Sequence, residues 1–191
     1  MKYHFHHVDN EELLNKVYRF RYKIYCEESN ALDAKNYPDK KETDSYDAFS
    51  DHFAVLDSDE KVCATMRLIH HSPIGYPTAN YLEFDKAIHC YHTDTIAEMS
   101  RIFIDVKHRN MRETKTFING IVKGLAYPKM KQYGIEYCYG ALESRFLKLV
   151  NMFRIPYHSI GEAQPNYGRN RHPSILSIRE LEEQNPELLH S

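Results

Sequence analysis

Apolar positions along the chain switch repeatedly between a period of two and a period of about 3.6, the signature of strands alternating with helices. "KYHFHHV" alternates and predicts a strand. "NEELLNKVYRFRYKIYCEE" follows, with Leu13, Val17, Phe20 and Ile24 at helical spacing and with Asp9 or Asn10 as the N-cap. Residues 29–50 are polar and carry a single Pro38, which predicts a long loop of the kind that carries function or moves. "HFAVLDSDEKVCATMRLIHH" reads as two strands about a short polar turn, and "AEMSRIFIDV" as another strand. "TKTFINGIVKGLAYPKMKQYG" places Phe117, Ile121, Val122 and Leu125 on one helical face. Pro128 should kink that helix and Gly134 should end it. "IEYCYGAL" predicts a strand, "ESRFLKLVNMF" a helix, "YHSIG" a late strand and "SIRELEEQ" a terminal helix. The order predicts an α/β (α+β) fold, one domain over residues 1–191 with a mixed central sheet and helices on both faces.

Composition narrows the function classes. The 191 residues are 42% hydrophobic and 27% charged, with a net charge of -2. That balance argues against a nucleic-acid binder, which would carry a basic excess. No apolar run approaches a membrane span, and "MKYHFHHVDN" lacks the apolar core of a signal peptide. Cys26, Cys63, Cys90 and Cys138 are scattered, with no CxxC pair, so neither a zinc site nor a disulfide framework is expected. A cytoplasmic location follows as the expectation. Of the twelve histidines, His4, His6 and His7 sit at strand spacing and His70 and His71 are adjacent. None falls in a ligand pattern such as HExxH, and no metal is expected. Gly120 and Gly124 form a GxxxG spacing whose simplest use outside a membrane is close helix packing.

Charged residues inside apolar strands change the picture. Arg67 lies within "CATMRLI", and Glu98 and Arg101 within "AEMSRIF". Buried charges are costly unless paired, so the two arginines require carboxylate partners, which Glu98 and the Asp44/Asp47 pair could supply. An edge strand or a solvated face is the alternative for each residue taken singly. Glu98 and Arg101 are three apart and would point to opposite faces of a regular strand, so both reach one face only through a bulge. "ETDSYDAF" (Glu42–Phe49) crowds three carboxylates around Tyr46. A solvated acidic turn is the simpler reading of that stretch, and a ligand-facing loop anchored by Tyr46 or Phe49 is the sharper one.

"RYKIYCEE", "ETDSYDAFSDHF", "TMRLI" and "EMSRIFI", in this order and spacing, resemble the autoinducer-synthase branch of the GNAT acyltransferase superfamily. The closest resemblance is to the N-acyltransferases associated with PEP-CTERM/exosortase systems, extending through the G-R-x-R-x-P segment at Gly168–Pro173. The resemblance implies a GNAT-like domain that moves a fatty acyl group from an acyl-carrier-protein phosphopantetheine thioester, or from acyl-CoA, to the amino group of an amino acid or similar small amine. No tightly bound cofactor is implied. It assigns Glu98, Ser100 and Arg101 to catalysis, with Glu98 as candidate base, and Arg21, Tyr25, Asp44, Asp47 and Arg67 to substrate binding. The chain contains no Trp, whereas the first loop of the lactone synthases usually carries one against the adenosylmethionine-type acceptor. Lactone synthesis is therefore the alternative, and a non-catalytic acyl-binding module another.

The chemistry needs no nucleophilic side chain, because a free amine attacks a thioester directly. It needs positioning, proton removal and oxyanion stabilisation. Cys26, Cys63 and Cys138 lie among apolar neighbours and read as inert. "KHRNMRETK" sets Lys107, Arg109, Arg112 and Lys115 just before a helix, a natural site for the phosphate of coenzyme A or of a carrier arm. The Q/R-x-x-G-x-G/A signature of ordinary GNATs is absent there, which favours an acidic carrier protein. A solvated basic turn is the alternative.

Overall fold

The structure, a computed structural model, describes residues 2–86 and 92–190; Cys90 lies outside them. In chain order the elements are β1 (Tyr3–His7), α1 (Glu11–Tyr22), β2 (Ser50–Asp57), β3 (Val62–His70), α2 (Pro77–Tyr81), β4 (Ile96–Ile104), α3 (Met111–Ile121), α4 (Tyr127–Gln132), β5 (Tyr137–Leu142), α5 (Ser144–Met152), β6 (Tyr157–Ser159), β7 (Gln164–Asn166), β8 (Arg169–Ser177) and α6 (Ile178–Gln184). The sheet is mixed and eight-stranded, in the order β1-β2-β3-β4-β5-β8-β6 with β7 paired to β8. β4 and β5 are parallel, while β5–β8 and β6–β8 are antiparallel. This is the expected α/β class.

Two compact units arise from the chain, Met1–Leu68 with Arg101–Ala126, and Ile69–Ser100 with Tyr127–Ser191. In the first, β1 pairs antiparallel with β2 from Tyr3↔Asp57 to His7↔Phe53. Asn10 caps α1 by accepting the Leu13 amide at 2.9 Å. The apolar stripe of α1 then packs Leu13 and Val17 on Ala54 and Leu56. Past Tyr22 the helix widens into a π-helical turn, Lys23–Glu28. That turn brings Tyr22, Tyr25 and Cys26 against Leu32, Tyr37 and Phe103, which pins the long loop at its start. Gly120 is required by packing, since a Cβ there would stand 2.2 Å from the Phe5 ring. Gly124 meets nothing within 4 Å, so only half of the GxxxG spacing serves a contact.

The helix expected from Thr114 begins earlier, at Met111, with Asn110 as its cap. It does not kink simply at Pro128. Residues Val122–Ala126 form a π-helical turn first, because Pro128 has no amide to give the carbonyl four residues back and the register must shift ahead of it. Gly134, at φ +69°, ends the run, and Ile135 donates back to the Met130 carbonyl at 2.9 Å.

In the second unit, β5 pairs with β8 from Tyr137↔Ser177 to Leu142↔His172. β7 and β8 are strands that the sequence pattern did not indicate, because Pro173 and the polar run "RNRH" mask the alternation. Tyr167 (φ +48°) and Gly168 (φ +71°) form the tight turn joining them. Met130, Cys138, Leu176 and Leu181 are fully buried here. Among the described residues no helix is long and apolar enough to cross a membrane, and no group of three or more His, Cys, Asp or Glu could hold a metal ion.

Candidate active site

Arg67 and Arg101 are buried, as the apolar strands around them required, and their partners come from the loop that precedes β2. Arg67 Nη1 donates to Asp44 Oδ1 at 2.5 Å and to Asp47 Oδ1 at 2.7 Å. Arg101 Nη2 donates to Glu42 Oε1 and to Asp44 Oδ2, both at 2.7 Å. Arg21, on α1, donates through Nε to Glu42 Oε2 at 2.6 Å and grips Asp47 through Nη1 and Nη2 at 2.8 and 3.1 Å. Three guanidinium groups thus meet three carboxylates, and the cluster's formal charges cancel. Bidentate, charge-assisted bonds of this kind are the strong ones, and in a buried setting each also satisfies a group that would otherwise be stranded.

The local fold explains the acid spacing. Asp44 Oδ1 accepts the Tyr46 amide at 2.9 Å and Asp47 Oδ2 accepts the Asp44 amide at 2.8 Å, a reciprocal cap that forms the single turn Ser45–Phe49. Tyr46 is buried and anchors the turn, with the Arg67 guanidinium 5.9 Å from its ring centre. Tyr25, set by the π-helical turn, lies against Arg101 at 5.0 Å and edge-on to Phe103.

Burial raises the cost of charging Glu42 and Asp47, and the arginines more than reverse it. Arg101 and Arg21 hold Glu42 below the usual carboxylate range, and Arg21 and Arg67 do the same for Asp47. His52 borders the cluster, its Nε2 3.7 Å from Asp47 Oδ1, with neither ring nitrogen hydrogen-bonded. Burial is the main cause that lowers its pKa to about 4, and Arg21 and Arg67 add to the effect against Asp47.

The geometry sharpens two expectations. Arg21 is fully buried and Asp47 nearly so, which leaves Asp44, at 24% exposure, as the member of the acidic pair open to solvent. Glu42, Asp44 and Asp47 all pair with the arginines, and Glu98 Oε2 accepts the Thr78 amide at 2.8 Å, at the start of α2. Sequence reasoning counted Glu42 in the acidic stretch but gave it no role, and it passed over His52.

Glu98 is 1% exposed on β4. Burial pushes the Cys138 thiol up to about 12, and the Glu98 charge adds to that shift, so Cys138 is no nucleophile. Cys26 and Cys63 are likewise buried thiols raised by desolvation. Ser100 is half-buried, and Arg101 follows it at φ +52°, a left-handed backbone for a non-glycine residue. That break lies where the Glu98–Arg101 spacing called for an irregular strand.

Arg112 and Lys115 lie on α3 itself, and only Lys107 and Arg109 precede it. Lys107, Arg112 and Lys115 are exposed and make no ion pair among the described residues. Arg109 is tied down by the Glu28 carboxylate and by the Ile104 carbonyl at 2.8 Å. Val106 and Met111, both exposed, flank these cations.

A family model described as an acetyltransferase (GNAT) domain matches residues 20–119. No curated protein matches the chain. Among solved structures, that of BjaI, a CoA-dependent acyl-homoserine lactone synthase with SAM and isopentyl-CoA, is similar at a TM-score of 0.72 and 18% identity, over 98% of this chain and 89% of its own. FeeM, an N-acyl amino acid synthase from uncultured soil microbes, gives 0.70 at 12% identity over 100% of this chain and 98% of its own. The acyl-homoserine lactone synthase LasI gives 0.67 at 14%, over 95% and 92%. At such identities the likeness is one of fold.

Proposed function

The chain belongs to the GNAT acetyltransferase family, and we propose that it is an N-acyltransferase that moves a fatty acyl group from a carrier-protein or coenzyme A thioester to the amino group of a small acceptor such as an amino acid. The observation that carries this reading is Glu98, a carboxylate buried to 1% exposure and held by the Thr78 amide. A base of this kind removes the ammonium proton. The freed amine attacks the thioester carbonyl, the new N–C bond forms as the C–S bond breaks, the departing thiolate takes a second proton from the nitrogen, and Glu98 gives the first one up to water. Ser100 and Arg101, next on the same strand, are assigned to the same machinery. Asp44 is the carboxylate open to an acceptor's ammonium group, with Arg67 and Arg101 fixing its direction. Arg21, Tyr25 and Asp47 act by holding that arrangement.

Lys107, Arg112 and Lys115 are assigned to the donor, their exposed charge suiting a phosphopantetheine phosphate or an acidic carrier surface. The fold it shares with FeeM supports an amino acid acceptor, and the sequence resemblance supports a place beside PEP-CTERM/exosortase systems. Mass spectrometry of lipids from cells overproducing the protein tests the reading. A new N-acyl species is expected, and its absence alongside intact thioester pools argues against it. The likeness to BjaI and LasI favours a second reading, lactone synthesis, which predicts a product that forms only with adenosylmethionine.

A further inference from the structure

Apart from the residues assigned above, a serine and a histidine meet where α5 begins beside β8. Ser144 Oγ lies 2.9 Å from His172 Nε2. On the other side of the ring, His172 Nδ1 is 3.3 Å from the Gly161 carbonyl oxygen and 3.3 Å from Ser159 Oγ. A carbonyl can only accept, so the neutral ring carries its proton on Nδ1. The Ser159 hydroxyl proton is committed elsewhere, donated to the Gly161 carbonyl at 2.7 Å, which turns a lone pair of Ser159 toward the ring. Both contacts select the same tautomer, and Nε2 presents its lone pair to the Ser144 hydroxyl.

Ser144 is also the first residue of a nine-residue helix whose N-cap, Glu143, makes no side-chain cap bond. The positive end of α5 therefore stands next to Oγ with no side chain capping it. Ser144 is exposed and His172 half-buried, so a ligand reaches the hydroxyl from solvent.

We propose that Ser144 and His172 form a second, nucleophilic site that accepts the acyl group of activated esters or thioesters. Ser144 Oγ attacks the carbonyl carbon while His172 Nε2 takes the hydroxyl proton, with the first amides of α5 facing the oxyanion. The carbonyl–oxygen or carbonyl–sulfur bond breaks, and His172 returns the proton to the leaving alcohol or thiol. Water then attacks the acyl-serine by the reverse proton path, so that ester and water give acid and alcohol.

A fluorophosphonate probe and p-nitrophenyl acetate test this on the whole chain. The probe should label one peptide, that containing Ser144. Ester hydrolysis should fall by about 10²-fold or more in both Ser144→Ala and His172→Gln. Ser144 is exposed, so the alanine variant keeps its fold and decides the matter even where the histidine variant is unstable. No labelling, labelling that survives Ser144→Ala, or hydrolysis unchanged in that variant overturns the proposal.

Discussion

The arginine cluster and the basic stretch after β4 use the same residue types for opposite ends. In the cluster, Arg21, Arg67 and Arg101 donate to Glu42, Asp44 and Asp47, and the charges cancel with every member but Asp44 buried. Along residues 107–115, Lys107, Arg112 and Lys115 keep their charge exposed. A guanidinium buried among carboxylates contributes shape and stiffness, because removing any member strands the others. A cation in water contributes long-range attraction that salt weakens. The comparison therefore assigns mutations in the first region mainly to stability, and those in the second to encounter with a charged partner.

The largest effect is expected at Arg67. Arg67→Ala removes one guanidinium from Asp44 and Asp47, leaving them only Arg101 and Arg21, and should cost about 3–5 kcal/mol, seen as a lower denaturation midpoint. An unchanged midpoint would mean that the cluster does not hold the fold.

The acid side of the same cluster gives the second effect. The folded pKa of His52 is lowered to about 4 from 6.5. Its neutral form thus contributes stability that is fully present above pH 6.5 and lost as pH falls toward 4, about 3 kcal/mol over that window. Glu42 and Asp47 are depressed too, so their contribution is present above the ordinary carboxylate range and disappears only in stronger acid. Denaturant titrations from pH 7 to 4 should show the decline in the wild type and a flatter curve in His52→Gln. Parallel curves would remove His52 from the account.

Asp44 stands between the two regions in character, paired yet 24% exposed. Asp44→Asn should raise the acceptor KM about tenfold with little change in the donor KM. Equal shifts in both would make Asp44 a part of the scaffold alone. The smallest effect belongs to the exposed cations. Arg112→Glu with Lys115→Glu should raise the KM for an acyl-carrier donor a few-fold at low salt, fading as ionic strength rises, with the melting temperature unchanged. A salt-independent result would place the donor elsewhere.

Much of this was legible in the sequence. Arg67 and Arg101 betrayed their burial by sitting in apolar strands, and Leu13, Val17 and Phe20 marked the inner face of α1. What hid was non-local or non-periodic. Glu42 lies 59 residues from Arg101, and nothing near it in the chain announces that partner. The π-helical turns at Lys23–Glu28 and Val122–Ala126 keep a helix-like apolar pattern while shifting the hydrogen bonds. β8 escaped because a proline at its centre ordinarily demotes a strand. There Pro173 pairs with Ala141, and its carbonyl accepts the Ile160 amide at 2.9 Å.

Acyl transfer with Glu98 as the base is the central claim, and thiol release from an acyl thioester under varied amine measures it directly. Wild-type protein should release thiol in proportion to amine until saturation, and Glu98→Gln should lower kcat by about 10²- to 10⁴-fold with the acceptor KM little changed. A Glu98→Gln enzyme within a few-fold of wild type in kcat would contradict the account.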